Sequence, residues 1–258
     1  MDILETIVAY KRKEVEARKS ATSMSSLEAK PYFNRGTYSL KANLLNADLT
    51  GIIAEFKRKS PSKGVIHPNP DIISITEAYT KNGAAGLSIL TDEHFFGGHD
   101  TDIDAARTNQ IPILRKEFII DEYQIAEARA IGADAILLIA ACLSPAEVKS
   151  LSRTARDLGL EVLLELHDES ELDHISPEIE MIGINNRNLK TFVVDIDRSL
   201  KMANLLSKEK IKIAESGISK PETVQLFRNH GFRGFLMGEN FMKENDPGKA
   251  FADFVAKN

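Results

Sequence analysis

The chain has 258 residues, a length typical of one (β/α)8 barrel and compatible with two small domains, and long enough to bury a core without staples. Its apolar fraction of 43% and charged fraction of 28% are ordinary for a globular protein, while the net charge of −5 disfavours nonspecific nucleic-acid binding, because phosphate backbones repel an acidic surface. The lone cysteine, Cys142, excludes an intramolecular disulfide and fits a reducing, cytoplasmic setting.

The N-terminal stretch from Met1 to Lys19 is charged and amphipathic and lacks the apolar core of a signal peptide. The spacing predicts a helix over Asp2 to Ser20, with Ile3, Ile7 and Tyr10 on one face. Shorter helical pieces are expected at Ser25 to Ala29 and Leu40 to Ala47, around a loop from Pro31 to Tyr38. The regular apolar spacing favours an extension packed on the rest of the molecule over a flexible tail.

Strand-length apolar segments follow at Gly51–Phe56, Gly86–Leu90, Ile111–Leu114, Ala135–Ile139, Glu161–Leu166, Met181–Ile184, Ile211–Ala214 and Gly234–Met237. Their starts lie about 20 to 35 residues apart, room for one strand, one helix and two turns. Helices are expected between them: Asp71–Lys81, Asp121–Ile131 with an Asp cap and Gly132 as terminator, one capped by Ser144 with Pro145 at its first position, Lys220–Asn229, and Gly248–Val255. The run Ile136 to Leu143 is too short to cross a bilayer, and Cys142 within it is expected to be a buried, inert thiol.

Eight such units favour a closed parallel (β/α)8 TIM barrel, with an N-terminal helical extension, as a single domain over 1–258. Strands apolar throughout are expected where both faces are covered. An open doubly wound sheet is the alternative, weakened because no Gly-x-Gly-x-x-Gly follows a strand.

In a (β/α)8 barrel the active site lies at the C-terminal strand ends, so those ends are where chemistry is sought. Alternation on the first strand puts Glu55, Lys57 and Lys59 on one side and Phe56 and Arg58 on the other. Lys116 ends the third strand, Glu165 the fifth, Asn185 and Arg187 the sixth, and Glu215 the seventh. One such residue alone is a solvated strand end. Five strands capped this way over one mouth carry a desolvation cost that idle charges would not repay. Mixed lysines and carboxylates suit proton transfer to and from an organic anion.

Glu215-Ser216-Gly217-Ile218-Ser219 and Gly238-Glu239-Asn240 follow the seventh and eighth strands, where barrels bind phosphate through backbone N–H groups. The loop Ser60-Pro61-Ser62-Lys63-Gly64 reads either as a cover for an anion or as a surface turn. The aromatics of His94-Phe95-Phe96-Gly97-Gly98 read equally as a wall for a flat ligand or a hydrophobic anchor. The six histidines show no metal-ligand spacing, and no Gly-x-Ser-x-Gly marks a serine nucleophile, so no metal and no such nucleophile are expected. His167, beside the fifth strand end, reads as a loop residue.

The run Ile53-Ala54-Glu55-Phe56-Lys57-Arg58-Lys59-Ser60-Pro61-Ser62-Lys63-Gly64 resembles the signature of the indole-3-glycerol phosphate synthase family. So do Ile89-Leu90-Thr91-Asp92, Leu114-Arg115-Lys116-Glu117-Phe118, Leu163-Leu164-Glu165, Ile184-Asn185-Asn186-Arg187-Asn188-Leu189, Ala214-Glu215-Ser216-Gly217-Ile218 and Met237-Gly238-Glu239, in the same order. The resemblance implies a small-molecule sugar-phosphate substrate, 1-(2-carboxyphenylamino)-1-deoxyribulose 5-phosphate, and ring closure with loss of carbon dioxide and water in tryptophan biosynthesis. It implies no cofactor and a monomer, with neither nucleic-acid nor membrane partner. Lys116 matches the family's principal acid, Glu55 and Lys57 its first-strand catalytic pair, Glu165 its fifth-strand carboxylate, and Asn185 and Ser216 further active-site positions. The phosphate site falls on Lys59, Gly217, Gly238 and the backbone at Glu239 and Asn240, while Phe96, Phe118, Leu137, Ile139, Arg187 and Leu189 match the pocket lining. Ser60 and Glu215 complete the expected binding set. Asn240 stands where a serine is common and His99 where a small polar residue is common, which leaves details of the phosphate and lid contacts open. No second barrel is expected after the eighth unit. The rivals are another phosphate-binding barrel lyase or isomerase, which would not explain Glu55-x-Lys57-x-Lys59 with Lys116, and a noncatalytic sugar-phosphate binder, which would not need the proton-transfer set.

Overall fold

Among the described residues of this computed structural model, 3–188 and 193–257, eight parallel strands close into a barrel. They are β1 (Ile52–Phe56), β2 (Gly86–Leu90), β3 (Ile113–Lys116), β4 (Ala135–Ile139), β5 (Glu161–Leu166), β6 (Met181–Asn185), β7 (Ile211–Glu215) and β8 (Phe232–Met237). Each pairs with its sequence neighbours, and β1 closes the ring: Ile53 is in register with Gly86 on one side and Leu236 on the other. The closed ring decides for the barrel over the open sheet.

Three helices precede β1: α1 (Ile3–Ala21), α2 (Met24–Glu28) and α3 (Leu40–Leu45). Then α4 (Ile72–Lys81) follows β1, α5 (Glu93–Phe96) and α6 (Asp100–Ala106) follow β2, α7 (Glu122–Ala130) follows β3, and α8 (Pro145–Asp157) follows β4. After β6 comes α9 (Ile196–Ala203), after β7 α10 (Pro221–Asn229), and after β8 α11 (Glu239–Met242) and α12 (Pro247–Val255). The fifth crossover departs from the pattern, because only a 3-10 helix, Glu169–His174, stands there, opened by an Asp168 capping box.

Local chemistry sets these boundaries. Asp121 caps α7 by accepting from Tyr123 N, and Gly132, at φ +97°, takes the left-handed turn that ends it. Ser144 and Glu147 form a reciprocal capping box on α8. β3 begins two residues later than its apolar run suggests and takes in Arg115 and Lys116. Arg115 is fully buried outside the barrel wall, where it donates to Gln124 O at 2.8 Å and Asp100 Oδ1 at 2.8 Å. Cys142 is half-buried rather than buried, because it sits in the 3-10 turn Ala140–Cys142 beyond the end of β4.

The barrel interior is apolar. Ile53, Leu114, Ala135, Leu137, Ile139, Leu163, Met181, Ile211, Ile213 and Leu236 form one buried cluster with Leu40 and Leu44 of α3, which closes the floor at the strand starts. Gly86 makes that closure fit: a Cβ there would lie 2.7 Å from Leu40 Cδ1. The N-terminal segment packs through α1, whose buried stripe is Ile7, Lys11 and Val15. The expected Ile3–Ile7–Tyr10 face is rotated by this stripe, so that Tyr10 is 41% exposed and stacks on His94 instead. No helix among the described residues is long and apolar enough to cross a membrane.

Candidate active site

Strand alternation delivers the polar residues to one mouth. Ile53, Leu114, Leu163 and Ile213 belong to the interior cluster, and two residues further along each strand stand Glu55, Lys116, Glu165 and Glu215. The same face of β6 carries Gly183 and then Asn185. Gly183 is required for space, because a Cβ there would lie 2.0 Å from Glu215 Oε1.

Lys116 Nζ lies 3.1 Å from Glu165 Oε2 and 3.7 Å from Glu215 Oε2. Asn185 Nδ2 donates to Glu165 Oε1 at 2.9 Å, and His167 Nε2 lies 2.9 Å from that same oxygen. Lys57 Nζ pairs with Glu55 Oε1 at 2.7 Å. Burial penalises the Lys116 charge, but Glu165, Glu215 and Glu55 outweigh it and raise its pKa above the ordinary lysine value. Burial likewise opposes ionisation of Glu165, yet Lys116, His167 and Asn185 together hold it well below the usual carboxylate range. Glu215 goes the other way: burial and then the neighbouring charge of Glu165 push it well above that range, against the pull of Lys116. The Glu215 Oε1 atom is buried without a hydrogen-bond partner. The arrangement thus favours a charged lysine and an ionised Glu165 beside a Glu215 that holds its proton more tightly than an ordinary carboxylate, a set able to give and receive protons.

The second half of the mouth is backbone. Ser216 and Gly217 both take left-handed conformations, at φ +66° and +70°. Ser216 is the described non-glycine residue at positive φ, a strain of roughly 1–2 kcal/mol. Asn186 fastens this turn: its N–H donates to Glu215 O at 2.8 Å and its Nδ2 to Ser216 O at 2.7 Å. A Cβ on Gly217 would lie 2.4 Å from Val194 Cγ1, and one on Gly238 2.7 Å from Glu55 Cβ. The N–H groups of Glu239 and Asn240 open α11 and therefore have no acceptor within that helix. After β1 a short antiparallel hairpin, Lys59–Ser60 with Gly64–Val65, carries Lys63 to within 3.7 Å of Glu239 Oε1. Arg187 Nη2 approaches Glu239 Oε2 at the same 3.7 Å from the β6 side.

One concave pocket takes in almost every residue singled out in the sequence. Glu55, Lys57, Ser60, Phe96, Lys116, Phe118, Leu137, Ile139, Glu165, Asn185, Arg187, Glu215, Ser216, Gly217, Gly238, Glu239 and Asn240 all line it. Lys59 does not. Strand alternation stops at Phe56, and in the hairpin Lys59 Nζ donates to His94 O at 2.9 Å while its stem lies on Gly97. Leu189 lies outside the described residues. The two aromatics of the β2 loop divide the two readings between them: Phe96 faces the pocket with its ring 5.9 Å from Phe118, whereas Phe95 packs edge-on against Tyr10 and His94.

Sequence reasoning missed several wall residues. Ile3, Leu4 and Ile7 of α1 line the pocket, as do Asp92 and Glu117. The amphipathic spacing of α1 signalled a buried face but not what it would cover. From the sequence His167 reads as a loop residue, and nothing local marks its approach to Glu165. Among the described residues no group of three or more His, Cys, Asp or Glu is placed to hold a metal ion.

Comparison with known proteins agrees with this geometry. The family model described as indole-3-glycerol phosphate synthase matches residues 4–254. The chain is 49% identical over 255 residues to the indole-3-glycerol phosphate synthase of Bacteroides thetaiotaomicron, covering 98% of each chain. It is 45% identical over 260 residues to that of Bordetella pertussis, covering 99% of each. Among solved structures, the tryptophan synthase subunit alpha of Legionella pneumophila superposes with a TM-score of 0.61 at 15% identity, over 84% of this chain and 95% of that one, a likeness of fold alone. The eight-stranded barrel, the charged mouth and a family match running almost from end to end agree: the chain belongs to the indole-3-glycerol phosphate synthase family.

Proposed function

We propose that this mouth performs the indole-3-glycerol phosphate synthase reaction, with the proton-transfer duties divided among Lys116, Lys57, Glu55 and Glu165. The enzyme is a carboxy-lyase of tryptophan biosynthesis. It converts 1-(2-carboxyphenylamino)-1-deoxyribulose 5-phosphate into indole-3-glycerol phosphate, carbon dioxide and water. The aromatic carbon that bears the carboxylate attacks the ketone carbon. Lys116, kept charged by its carboxylate neighbours, gives the ketone oxygen its proton. Lys57 pairs with the substrate carboxylate until it leaves as carbon dioxide. Loss of water then removes the new hydroxyl and a proton from the adjacent carbon, with Lys57 as acid and Glu55 as base. Glu165, held ionised by Lys116, His167 and Asn185, steers these transfers. The apolar wall around Phe96 and Phe118 favours loss of the carboxylate charge next to it.

The phosphate is assigned to the backbone at Gly217, Gly238, Glu239 and Asn240, where the left-handed turn at Gly217 and the helix opening after Gly238 present N–H groups. Ser60 and Lys59 close over it from the β1 hairpin, which requires Lys59 to exchange His94 O for the ligand. Asn185, Ser216 and Arg187 orient the sugar, and Leu137 and Ile139 complete the apolar lining. We further propose that residues 1–258 act as one domain, as a cytoplasmic monomer.

The observation that carries this reading is Lys116 Nζ within 3.1 Å of Glu165 Oε2 at the base of the pocket. A noncatalytic sugar-phosphate binder has no use for a lysine ringed by buried carboxylates. Purified protein incubated with the carboxyphenylamino substrate, without added metal, is expected to accumulate a fluorescent indole product. No turnover with or without metal contradicts the reading.

A further inference from the structure

Lys11 is a fully buried lysine far from the strand ends in sequence, yet its ammonium sits behind the pocket wall. Nζ lies 3.0 Å from Asp92 Oδ2, 3.0 Å from Glu117 Oε1 and 2.9 Å from Glu14 Oε2. The partners on the barrel are themselves tied to the wall. Asp92 uses its other oxygen, Oδ1, to accept from Phe95 N at 2.7 Å and Phe96 N at 3.1 Å, which fixes the turn that carries Phe96. Glu117 Oε1 accepts from Phe118 N at 2.8 Å, and its Oε2 from Thr91 Oγ1 at 2.9 Å. One ammonium therefore joins the backbone of both aromatic wall segments.

The same lysine also sets the third wall. Ile7 lies four residues before Lys11 and Leu4 seven before, so all three share one helix face. Ile3, Leu4 and Ile7 line the pocket beside Phe96 and Phe118. Where Lys11 is held, that edge of α1 is held too.

We propose that Lys11 is a positioning residue for ring closure: by bridging Asp92 and Glu117 it locks α1, Phe96 and Phe118 into one wall that sets the aromatic ring of the substrate against Lys116. This rests on the reaction assigned above and deepens it. Lys11 touches no reacting atom. Without its ammonium, Asp92 and Glu117 lose the cation they share, and the segments they hold are no longer tied together.

The test compares Lys11→Met and Lys11→Arg with wild type by steady-state kinetics, with circular dichroism to establish folding and inorganic phosphate as a competitive inhibitor. Folded Lys11→Met is expected to lose about tenfold or more in kcat/KM, since misplacement of a reacting group by a fraction of an ångström carries such costs. Its inhibition constant for phosphate should change far less than kcat/KM, because the backbone of the phosphate cradle lies on the β7 and β8 loops and only Ser60 and Lys59 reach it from the β1 hairpin. Lys11→Arg, which keeps the charge, should recover much of the loss. Should Lys11→Met not fold, Leu4→Ala thins the same wall without touching the ion pairs and should show the same split. Unchanged kcat/KM in folded Lys11→Met, or in Leu4→Ala where it stands in, overturns the proposal. So does an equal weakening of phosphate inhibition, which marks general loosening. Wild-type protein that makes no indole product overturns both this proposal and the function it rests on.

Discussion

The two ends of the barrel use the same ingredients to opposite ends. On the floor, Asp134 sits just before β4 with every lone-pair direction occupied. Its Oδ1 accepts from Arg35 Nη2 at 2.7 Å and Tyr38 N at 2.9 Å, and its Oδ2 from Arg107 Nη1 at 2.5 Å and Ile113 N at 2.8 Å. At the mouth, Lys116 is shared between carboxylates, and Glu215 Oε1 has no hydrogen-bond partner. A buried ion cluster that is fully satisfied holds structure in place, whereas one that is left short holds protons it can exchange. The (β/α)8 architecture separates the two roles, with stability at the N-terminal face and chemistry at the C-terminal face.

Breaking the floor should affect stability most. Asp134→Ala strands Arg35 and Arg107 without their counter-charge and is expected to cost about 3–5 kcal/mol, as for other broken buried pairs. Urea unfolding measures the loss, and at a temperature where the variant is folded its kcat should be close to wild type. A large fall in kcat with stability intact would erase the distinction between the ends.

A smaller change at the mouth should do the reverse. Gly183→Ala drives a Cβ against Glu215 Oε1, otherwise 2.0 Å away, and displaces that carboxyl from Lys116. Turnover is expected to fall about tenfold, because Lys116 loses a carboxylate that helps hold it in place. Wild-type turnover in Gly183→Ala would mean that the placement of Glu215 is immaterial.

Glu215 has a raised pKa in the folded chain, so folding retains a proton that the unfolded chain releases above the ordinary carboxylate range. Its contribution to stability is intact below that range and is lost as pH rises toward the folded value. Glu215→Gln, which keeps the neutral shape, should therefore gain stability relative to wild type as pH climbs through the interval above the ordinary carboxylate value of 4.5. Denaturation midpoints of the two proteins across that interval report the difference, and a difference that does not change with pH contradicts a raised Glu215 pKa.

Much of this was legible in the sequence, for identifiable reasons. β2, β4 and β5 occupy the apolar runs predicted for them because both faces of each are covered. The polar residues closing the strands pointed to the mouth because two-residue alternation carries an inward direction from Ile53 to Glu55 and from Leu163 to Glu165. The alternation argument failed at Lys59, beyond the last residue of β1, where a hairpin turns the side chain onto His94 O. Arg115 hid the true extent of β3, because a charge buried by distant partners leaves no mark in a local pattern. Lys11 was illegible for the same reason: Asp92 and Glu117 are its neighbours only once the barrel has closed. The glycine at 183 breaks an apolar strand, yet its meaning depends on a carboxyl delivered by the next strand.

The account stands on Lys116 as proton donor at the foot of the pocket. The direct measurement is the turnover of Lys116→Met in the fluorescent indole assay, with circular dichroism to establish that the barrel is intact. A folded variant slowed by about 100-fold or more is the predicted result for removal of a general acid. A folded variant that turns over near the wild-type rate contradicts it.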